Sequence, residues 1–348
     1  MRHTFIMQIR RPYLRGAFLL SSILGTVLVA VAVGVPAIDI QSLTSHADLI
    51  CAGGIVEIRD HGSATIHTPN GDFAAHSMIA TLKVEHVLKG QLTGKTVDFG
   101  FPVPEEDIGY SPIVTNQFGV FFLRMSEGTY TIFDPHHPYV VAVPGVALAA
   151  GNPFDQVIAE LDAVLESPTA PVEVQREAVY TLALPTQGEG VTAALLKGAM
   201  NTDLVVRFDS MSLLLEHNDL TYLDQAADLL LHPPPEIEAT LLTNLALGVG
   251  AGVRSPSAVP TLSKLLNAPD VQTRRSTARA LRLIGTEATV KPLTQALGDS
   301  DRRVRYEAIS GLAHFAGDKK WDPDMRDYLY KSEEPYLSHW QQWAKAQE

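Results

Sequence analysis

The spacing of hydrophobic and polar positions changes twice along the 348-residue chain. Residues 17–37 are apolar or small at every position and carry no charge. Between residues 48 and 150, short runs of Val, Ile, Phe, Tyr and Thr are separated by Gly, Pro, Asn and Asp, which is typical of strands and turns. From residue 151 onward apolar residues recur at helical spacing. The pattern therefore predicts an apolar leader, a β domain and a helical region, in that order.

The β segment, residues 48–150, contains six runs with strand character. About six short strands in roughly a hundred residues predict a small all-β barrel or sandwich. A polar stretch between the first two strands is predicted to be a loop. The predicted strands are Leu49–Arg59, His76–Leu88, Lys95–Phe101, Gly119–Met125, Thr129–Phe133 and Val140–Val143.

The helical segment contains an internal repeat. Val259–Gly285 and Val290–Ala316 superpose at one fixed offset, which places Leu262 on Leu293 and Arg274 on Arg305. Each unit reads as two amphipathic helices joined by a turn, and one such pair cannot bury its apolar face alone. We therefore expect about five stacked units over residues 151–316, that is, an all-α solenoid after the β domain.

Two stretches resemble known families. The motif Asp-x-x-Val-Arg-x-x-Ala-x-x-x-Leu, from Asp301 to Leu312, resembles the short HEAT-like repeats of the phycobilin-lyase type. Its matching residues are structural, so the resemblance implies a binding scaffold and no lyase activity. Ala-Asp-Leu-Ile from Ala47, the Ala-x-Leu-x-Val run of Ala80–Gly90 and the strand Gly119–Leu123 resemble an exported bacterial OB-like, netrin-like β domain. That resemblance implies a fold more than a function.

The last segment, residues 317–348, is rich in aromatic residues and carries charges of both signs. A stacked array needs a terminal cap with a polar outer face, and two helices, Pro323–Lys331 and Pro335–Ala346, are predicted to form it. The alternative is an aromatic surface that binds a partner. The aromatic residues are Trp321, Tyr328, Tyr330, Tyr336, Trp340 and Trp343.

Residues 1–47 are predicted to be a signal sequence or signal anchor of a bacterial envelope protein. Four arginines precede the first acid, Asp39, and the apolar run of residues 17–37 is long enough to span a membrane. Small residues at positions 35 and 37, and again at 45 and 47, also permit cleavage. Arg10-Arg11 resembles a twin-arginine export signal, with an ordinary positive leader as the alternative. The chain is thus expected to be exported, and either anchored by residues 17–37 or periplasmic or secreted after cleavage.

Charge is segregated along the solenoid. Residues 151–253 contain 15 acids and 3 bases, whereas residues 254–320 contain 12 bases and 6 acids. Arg274 and Arg305 occupy a motif position and are expected to pair with Asp270 and Asp301. The remaining arginines are predicted to bind an acidic protein partner, and the net charge of −12 argues against nucleic acid. The predicted partner-binding residues are Arg275, Arg279, Arg282, Arg302 and Arg303.

Few residues suggest catalysis. The single cysteine, Cys51, excludes a multi-cysteine metal site, and the sequence lacks a phosphate-binding loop, a nucleophile elbow and a metalloprotease helix. No catalytic residue, metal or cofactor is predicted. The sequence therefore favours a non-catalytic envelope scaffold that recognises a protein through its solenoid. The alternative is a metal-dependent or hydrolytic activity of histidines and carboxylates in predicted loops: Asp60, His61, His67, Asp72, His76, Asp134, His136 and His137.

Overall fold

The computed structural model describes residues 40–147, 151–183 and 188–347. All of these belong to one compact unit, Ala37–Glu348. The apolar run of residues 17–37 lies outside the described residues, so anchorage, cleavage and export remain predictions. Among the helices that are described, none is long and apolar enough to cross a membrane.

The β domain is a closed ring of five strands with a sixth strand outside it. The ring runs β1-β2-β3-β5-β4 and closes because β1 also pairs with β4. Strands β3 and β5 pair in parallel, the other pairs are antiparallel, and β6 adds to β4. The predicted all-β domain is therefore confirmed. A short helix, α1 (Ile40–His46), precedes β1 (Leu49–Thr68), β2 (Gly71–Lys89), β3 (Thr96–Pro104), β4 (Phe118–Ser126), β5 (Thr129–Ile132) and β6 (Tyr139–Val141).

The prediction of a polar loop between the first two strands is wrong. Strands β1 and β2 continue in register to Thr68 and Gly71, interrupted by an irregularity between Asp60 and Ser63. This stretch extends beyond the ring, where both faces can be polar, so it lacks the apolar alternation that marks a half-buried strand. Consequently the histidines assigned to a loop, His61, His67 and His76, lie within the two strands.

Twelve α-helices follow the β domain in the part of the chain that the structure describes. The second helices of successive units, α3, α5, α7, α9 and α11, pack side by side, and helices α2 with α4, α6 with α8 and α8 with α10 form the other layer. This arrangement confirms the predicted solenoid. The helices are α2 (Pro153–Glu166), α3 (Val172–Ala183), α4 (Glu189–Gly198), α5 (Leu204–Glu216), α6 (Leu223–Leu231), α7 (Ala239–Gly252), α8 (Val259–Leu265), α9 (Val271–Ile284), α10 (Glu287–Ala296), α11 (Arg302–Ala316), α12 (Met325–Tyr330) and α13 (Glu334–Lys345).

The motif aspartates begin the second helix of the last two units. The carboxylate of Asp270 accepts from the amide of Thr273 at 2.7 Å, and that of Asp301 accepts from the amide of Val304 at 3.1 Å. These bonds satisfy amides that the helix itself cannot. Both helices end at glycines with positive φ, Gly285 and Gly317, a conformation that glycine adopts without strain.

One hydrophobic core joins the barrel to the solenoid. In β1, Leu49 and Cys51 point into the barrel, whereas Ile50 belongs to the core shared with α2 and α3. Strand β4 repeats this division, because Phe121 faces the barrel interior and Phe122 faces the helices. Both strands are therefore buried on both faces, as in the central strands of layered folds.

The C-terminal aromatic residues mostly extend this core. Tyr328 and Trp340 are fully buried, and the indole N–H of Trp340 donates to the carbonyl oxygen of Trp321 at 3.0 Å. Tyr330, by contrast, is 86% exposed. Trp321, Tyr336 and Trp343 are half-buried against the same core, which is the packing that a cap on the last repeat requires.

Candidate partner-binding surface

The predicted arginines lie on α9 and α11, which are neighbours in the layer formed by the second helices of the units. Helix α9 presents Arg275, Arg279 and Arg282 at spacings of four and three residues, which places them along one stripe. Helix α11 begins with Arg302 and Arg303. The structure therefore brings the five residues to one region of the solenoid, although their surroundings differ.

A ladder of ion pairs connects successive units. Arg274 Nε lies 2.8 Å from Asp299 Oδ2, and Arg305 Nη2 lies 2.6 Å from Glu333 Oε1. The prediction that these two arginines pair with Asp270 and Asp301 is thus wrong. Each motif aspartate accepts hydrogen bonds from amides of its own helix. Each motif arginine instead pairs with an acid that lies 25 or 28 residues further along the chain.

Three of the five predicted binding residues also take part in contacts between elements. Arg275 Nη2 lies 2.6 Å from Asp301 Oδ2, and Arg282 Nε lies 2.5 Å from Glu307 Oε2. Arg302 donates to the carbonyl oxygens of Tyr328, at 2.6 Å, and of Lys331. Hydrogen bonding to Asp301 raises the pKa of Arg275. These three arginines hold units together, so their charge is already partly compensated.

The other two predicted binding residues, Arg279 and Arg303, have unpaired side chains among the described residues. Neither side chain makes a hydrogen bond or ion pair with any residue in the described part of the chain, and Arg279 is exposed between the two paired arginines of α9. Arg303 lies one turn before Glu307 on α11. Their charge is therefore available to a partner.

Arg254, which was not among the predicted binding residues, lies close to Arg279 and Arg282. Its guanidinium donates to the carbonyl oxygens of Val253, at 2.7 Å, and Ala251, at 2.5 Å, at the C-terminal end of α7. Burial lowers the pKa of Arg254 first, and repulsion from Arg279 and Arg282 lowers it further. A basic residue just past a helix end is the sequence signal that could have revealed it. We call Arg254, Arg279, Arg282 and Arg303 the arginine patch.

Apolar side chains lie at the ends of the same helices. Leu283 follows Arg279 by one turn and is 39% exposed, and Phe315, near the end of α11, is 38% exposed. A shallow cavity of about 270 Å³ adjoins the end of α11. The region thus combines uncompensated positive charge with apolar contact area, the composition of protein-recognition surfaces. The cavity is lined by Ala313, His314, Gly317, Lys319 and Asp322.

The histidines of the alternative hypothesis form separate pairs. His67 Nδ1 lies 2.7 Å from Asp72 Oδ1, and His76 Nδ1 lies 3.1 Å from Asp60 Oδ2, both on exposed parts of β1 and β2. His136 bonds instead to the carbonyl oxygen of Gly109. Within the described ranges no group of three or more His, Cys, Asp or Glu side chains is arranged to hold a metal ion.

Comparison with known proteins identifies the repeats. Residues 223–313, which run from α6 into α11 and contain all four residues of the arginine patch, match the family model for HEAT repeats. No curated protein matches the chain. One similar solved structure is the crystal structure of an engineered protein from the Northeast Structural Genomics Consortium, at 17% identity and a TM-score of 0.35. The alignment covers 56% of this chain and 59% of that one, so the chain spans less than two thirds of the engineered protein.

Proposed function

We propose that this chain is a non-catalytic envelope scaffold that recognises an acidic protein through the arginine patch of its HEAT repeats. HEAT arrays commonly use their extended surfaces to bind proteins. The observation that carries the proposal is the exposed, unpaired guanidinium of Arg279, which stands among arginines that are ion-paired. A charge without a local partner costs little in water and strengthens association with a complementary surface.

The partner's acidity follows from the field of the patch. Mutual repulsion between Arg254, Arg279 and Arg282 is relieved when a carboxylate approaches, whereas Glu307 is already bound to Arg282. Leu283 and Phe315 add apolar contact beside the charges. We expect the partner to present carboxylates next to an apolar side chain.

The β domain is proposed to be an OB-like, netrin-like barrel of an exported bacterial protein. The closed five-strand ring, with its single parallel pair between β3 and β5, supports this interpretation. Export and anchorage by residues 17–37 rest on the sequence alone. The same holds for assignment of the repeats to the phycobilin-lyase type.

The test compares two charge-reversed variants in crosslinking and affinity capture from native envelopes. Arg279→Glu/Arg303→Glu changes the patch, and Lys264→Glu/Lys291→Glu changes the net charge equally at exposed lysines on α8 and α10. We expect the patch variant to lose about tenfold or more of the captured partner, with the same thermal midpoint as the wild type. The lysine variant should capture normally, and added salt should weaken capture by the wild type.

Two results would contradict the proposal. One is normal capture by the arginine variant, which would show that the patch is not used. The other is an equal loss in both variants, which would assign the effect to net charge and not to the patch.

A further inference from the structure

Strand β1 has a long outer edge that pairs with no strand in the described part of the chain. β4 pairs only with Leu49–Gly54, and the last backbone bonds on that side join Ile55 to Asn116 and Gln117. From residue 57 to Thr68, no strand among the described residues occupies this edge. Backbone N–H and C=O groups along such an edge can pair with another chain.

The second strand leaves the barrel as well. β3 pairs with β2 from Ala75 to Lys83, whose partners on β1 run from Gly54 to Ala64, so only residues 65–74 form a two-stranded ribbon, which we call the β arm. A two-stranded ribbon is marginally stable in water, and three or more strands are generally needed. The β arm therefore gains stability if its free edge receives another strand.

The base of this edge is protected against pairing, but the tip is not. Glu57, Arg59 and Asp60 place charges at the base, and the irregularity between Asp60 and Ser63 interrupts the register. Both features discourage edge-to-edge association. Beyond them, residues 63–68 contain no Lys, Arg, Asp, Glu or Pro and include three β-branched residues.

Hydrogen bonding on the other edge shows which amides are free. The carbonyl oxygen of Ala74 accepts from the amide of Glu105, so Ala74 bonds away from β1. The residue opposite Ala74 on β1 is Thr65. In an antiparallel pair, when the backbone N–H and C=O of one residue point away from the partner strand, those of the residue opposite it also point away. The amides of Ser63, Thr65 and His67 therefore point to the free edge.

We propose that two copies of this chain pair through the tips of their β arms. An antiparallel pairing about a twofold axis at Thr65 sets Thr65 opposite Thr65 and Ser63 opposite His67. No like charges then face each other, and the two arms become one four-stranded sheet. The contact uses the same surface on both copies and is therefore closed, as in most homodimers.

Sedimentation velocity of the full chain over a range of concentrations tests this dimer. Thr65→Pro removes an amide that points outward and leaves the bonds to β2 in place, because proline is tolerated on an edge strand. Thr65→Val keeps both the amide and the branched side chain. We expect the wild type and Thr65→Val to form concentration-dependent dimers, and the dimer dissociation constant of Thr65→Pro to rise about tenfold or more.

A second variant guards against a proline that unfolds the arm. Thr65→Lys keeps the amide and places two like charges opposite each other at the axis, so it should also dissociate the dimer. A wild type that stays monomeric, or proline and lysine variants that dimerise as the wild type does, would overturn the proposal. Capture of an extended peptide by a monomeric wild type would instead assign the edge to a different chain.

Discussion

Asp301 has two roles, and Asp270 shares only one of them. Both carboxylates accept amide hydrogen bonds at the start of a helix, but only Asp301 also binds an arginine, Arg275, in the preceding unit. The bond from Arg275, followed by the amides of Val304 and Arg303, lowers the pKa of Asp301. The contact between α9 and α11 thus depends on one carboxylate that must remain ionised.

Replacing these two aspartates should separate capping from pairing. Asp270→Ala removes a cap, and we expect a loss of about 1 kcal/mol in the free energy of unfolding. Asp301→Ala removes the cap and leaves Arg275 without its partner, so we expect about 2 to 3 kcal/mol. Urea denaturation of the two variants and the wild type at pH 7 measures both values.

Acid provides the check on this assignment. A carboxylate with a lowered pKa contributes stability above its unfolded pKa and loses it as the pH falls through the folded value. The wild type should therefore lose its advantage over Asp301→Ala as the solution is acidified below the usual range of aspartate. Equal losses for both variants at pH 7 would show that the pair with Arg275 contributes nothing.

The packing of helix α2 against the barrel contains an unusual buried acid. Glu160 is 1% exposed, and neither of its carboxylate oxygens has a hydrogen-bond partner in the part of the chain that the structure describes. Burial, and then repulsion from Glu85 on β2, raises its pKa to about 7. Glu85 itself accepts from the amide of Gly145 at 2.6 Å, and its Oε1 lies 3.8 Å from the buried Nε2 of the neighbouring His86.

The contact between α2 and β2 should therefore weaken as the pH rises. Below the ordinary glutamate pKa of 4.5 both the folded and the unfolded states carry a neutral Glu160. Between there and pH 7 the unfolded state ionises first, so we expect the free energy of unfolding to fall by roughly 2 to 3 kcal/mol and then level off. Chemical denaturation at intervals from pH 4 to pH 8 measures this slope.

Glu160→Gln should remove most of that slope, because the amide does not ionise. Glu173→Gln, at an exposed position on α3, is the matched control and should keep the wild-type slope. A Glu160→Gln variant with an unchanged pH dependence would show that another group is responsible.

At the scale of the whole molecule, the sequence predicts local patterns better than contacts between distant segments. The cap at Asp301 is encoded locally, because an aspartate directly before an amphipathic run marks the start of a helix. The partners of Arg274 and Arg282 depend on how units stack, and no local spacing encodes Asp299 or Glu307 as neighbours. Three of the five predicted binding arginines consequently lie in contacts between elements, whereas Arg279 is exposed and unpaired among the described residues and its binding role stays a prediction.

The relation between the barrel and the solenoid was missed for a different reason. Their sequences differ in periodicity, which favoured two separate domains. The uninterrupted apolar runs Leu49–Ala52 and Val120–Leu123 contain the missing signal, because a strand that faces water on one side alternates and these do not. A hydrophobic run in an otherwise alternating β domain indicates a second layer on its outer face.

This shared core predicts that the barrel does not fold stably without the helices. A chain that ends after residue 147 exposes Ile50, Val120, Phe122 and Val140, which are buried in the full chain. Burial of such side chains contributes roughly 1.5 to 3 kcal/mol each, and the sum is comparable to the whole stability of a small domain. We expect the fragment to bind hydrophobic dyes, to aggregate and to show no cooperative thermal transition.

The matched control is the same fragment with Ile50→Thr, Val120→Thr and Phe122→Thr, which places a residue of high β propensity at each position but makes this face polar. It should remain more soluble and bind less dye than the unaltered fragment, because the exposed apolar face is what drives association. An unaltered fragment that is monomeric and melts cooperatively near the temperature of the full chain would show that the barrel is independent. In that case the core between β4 and α2 would be a contact between two separately stable domains.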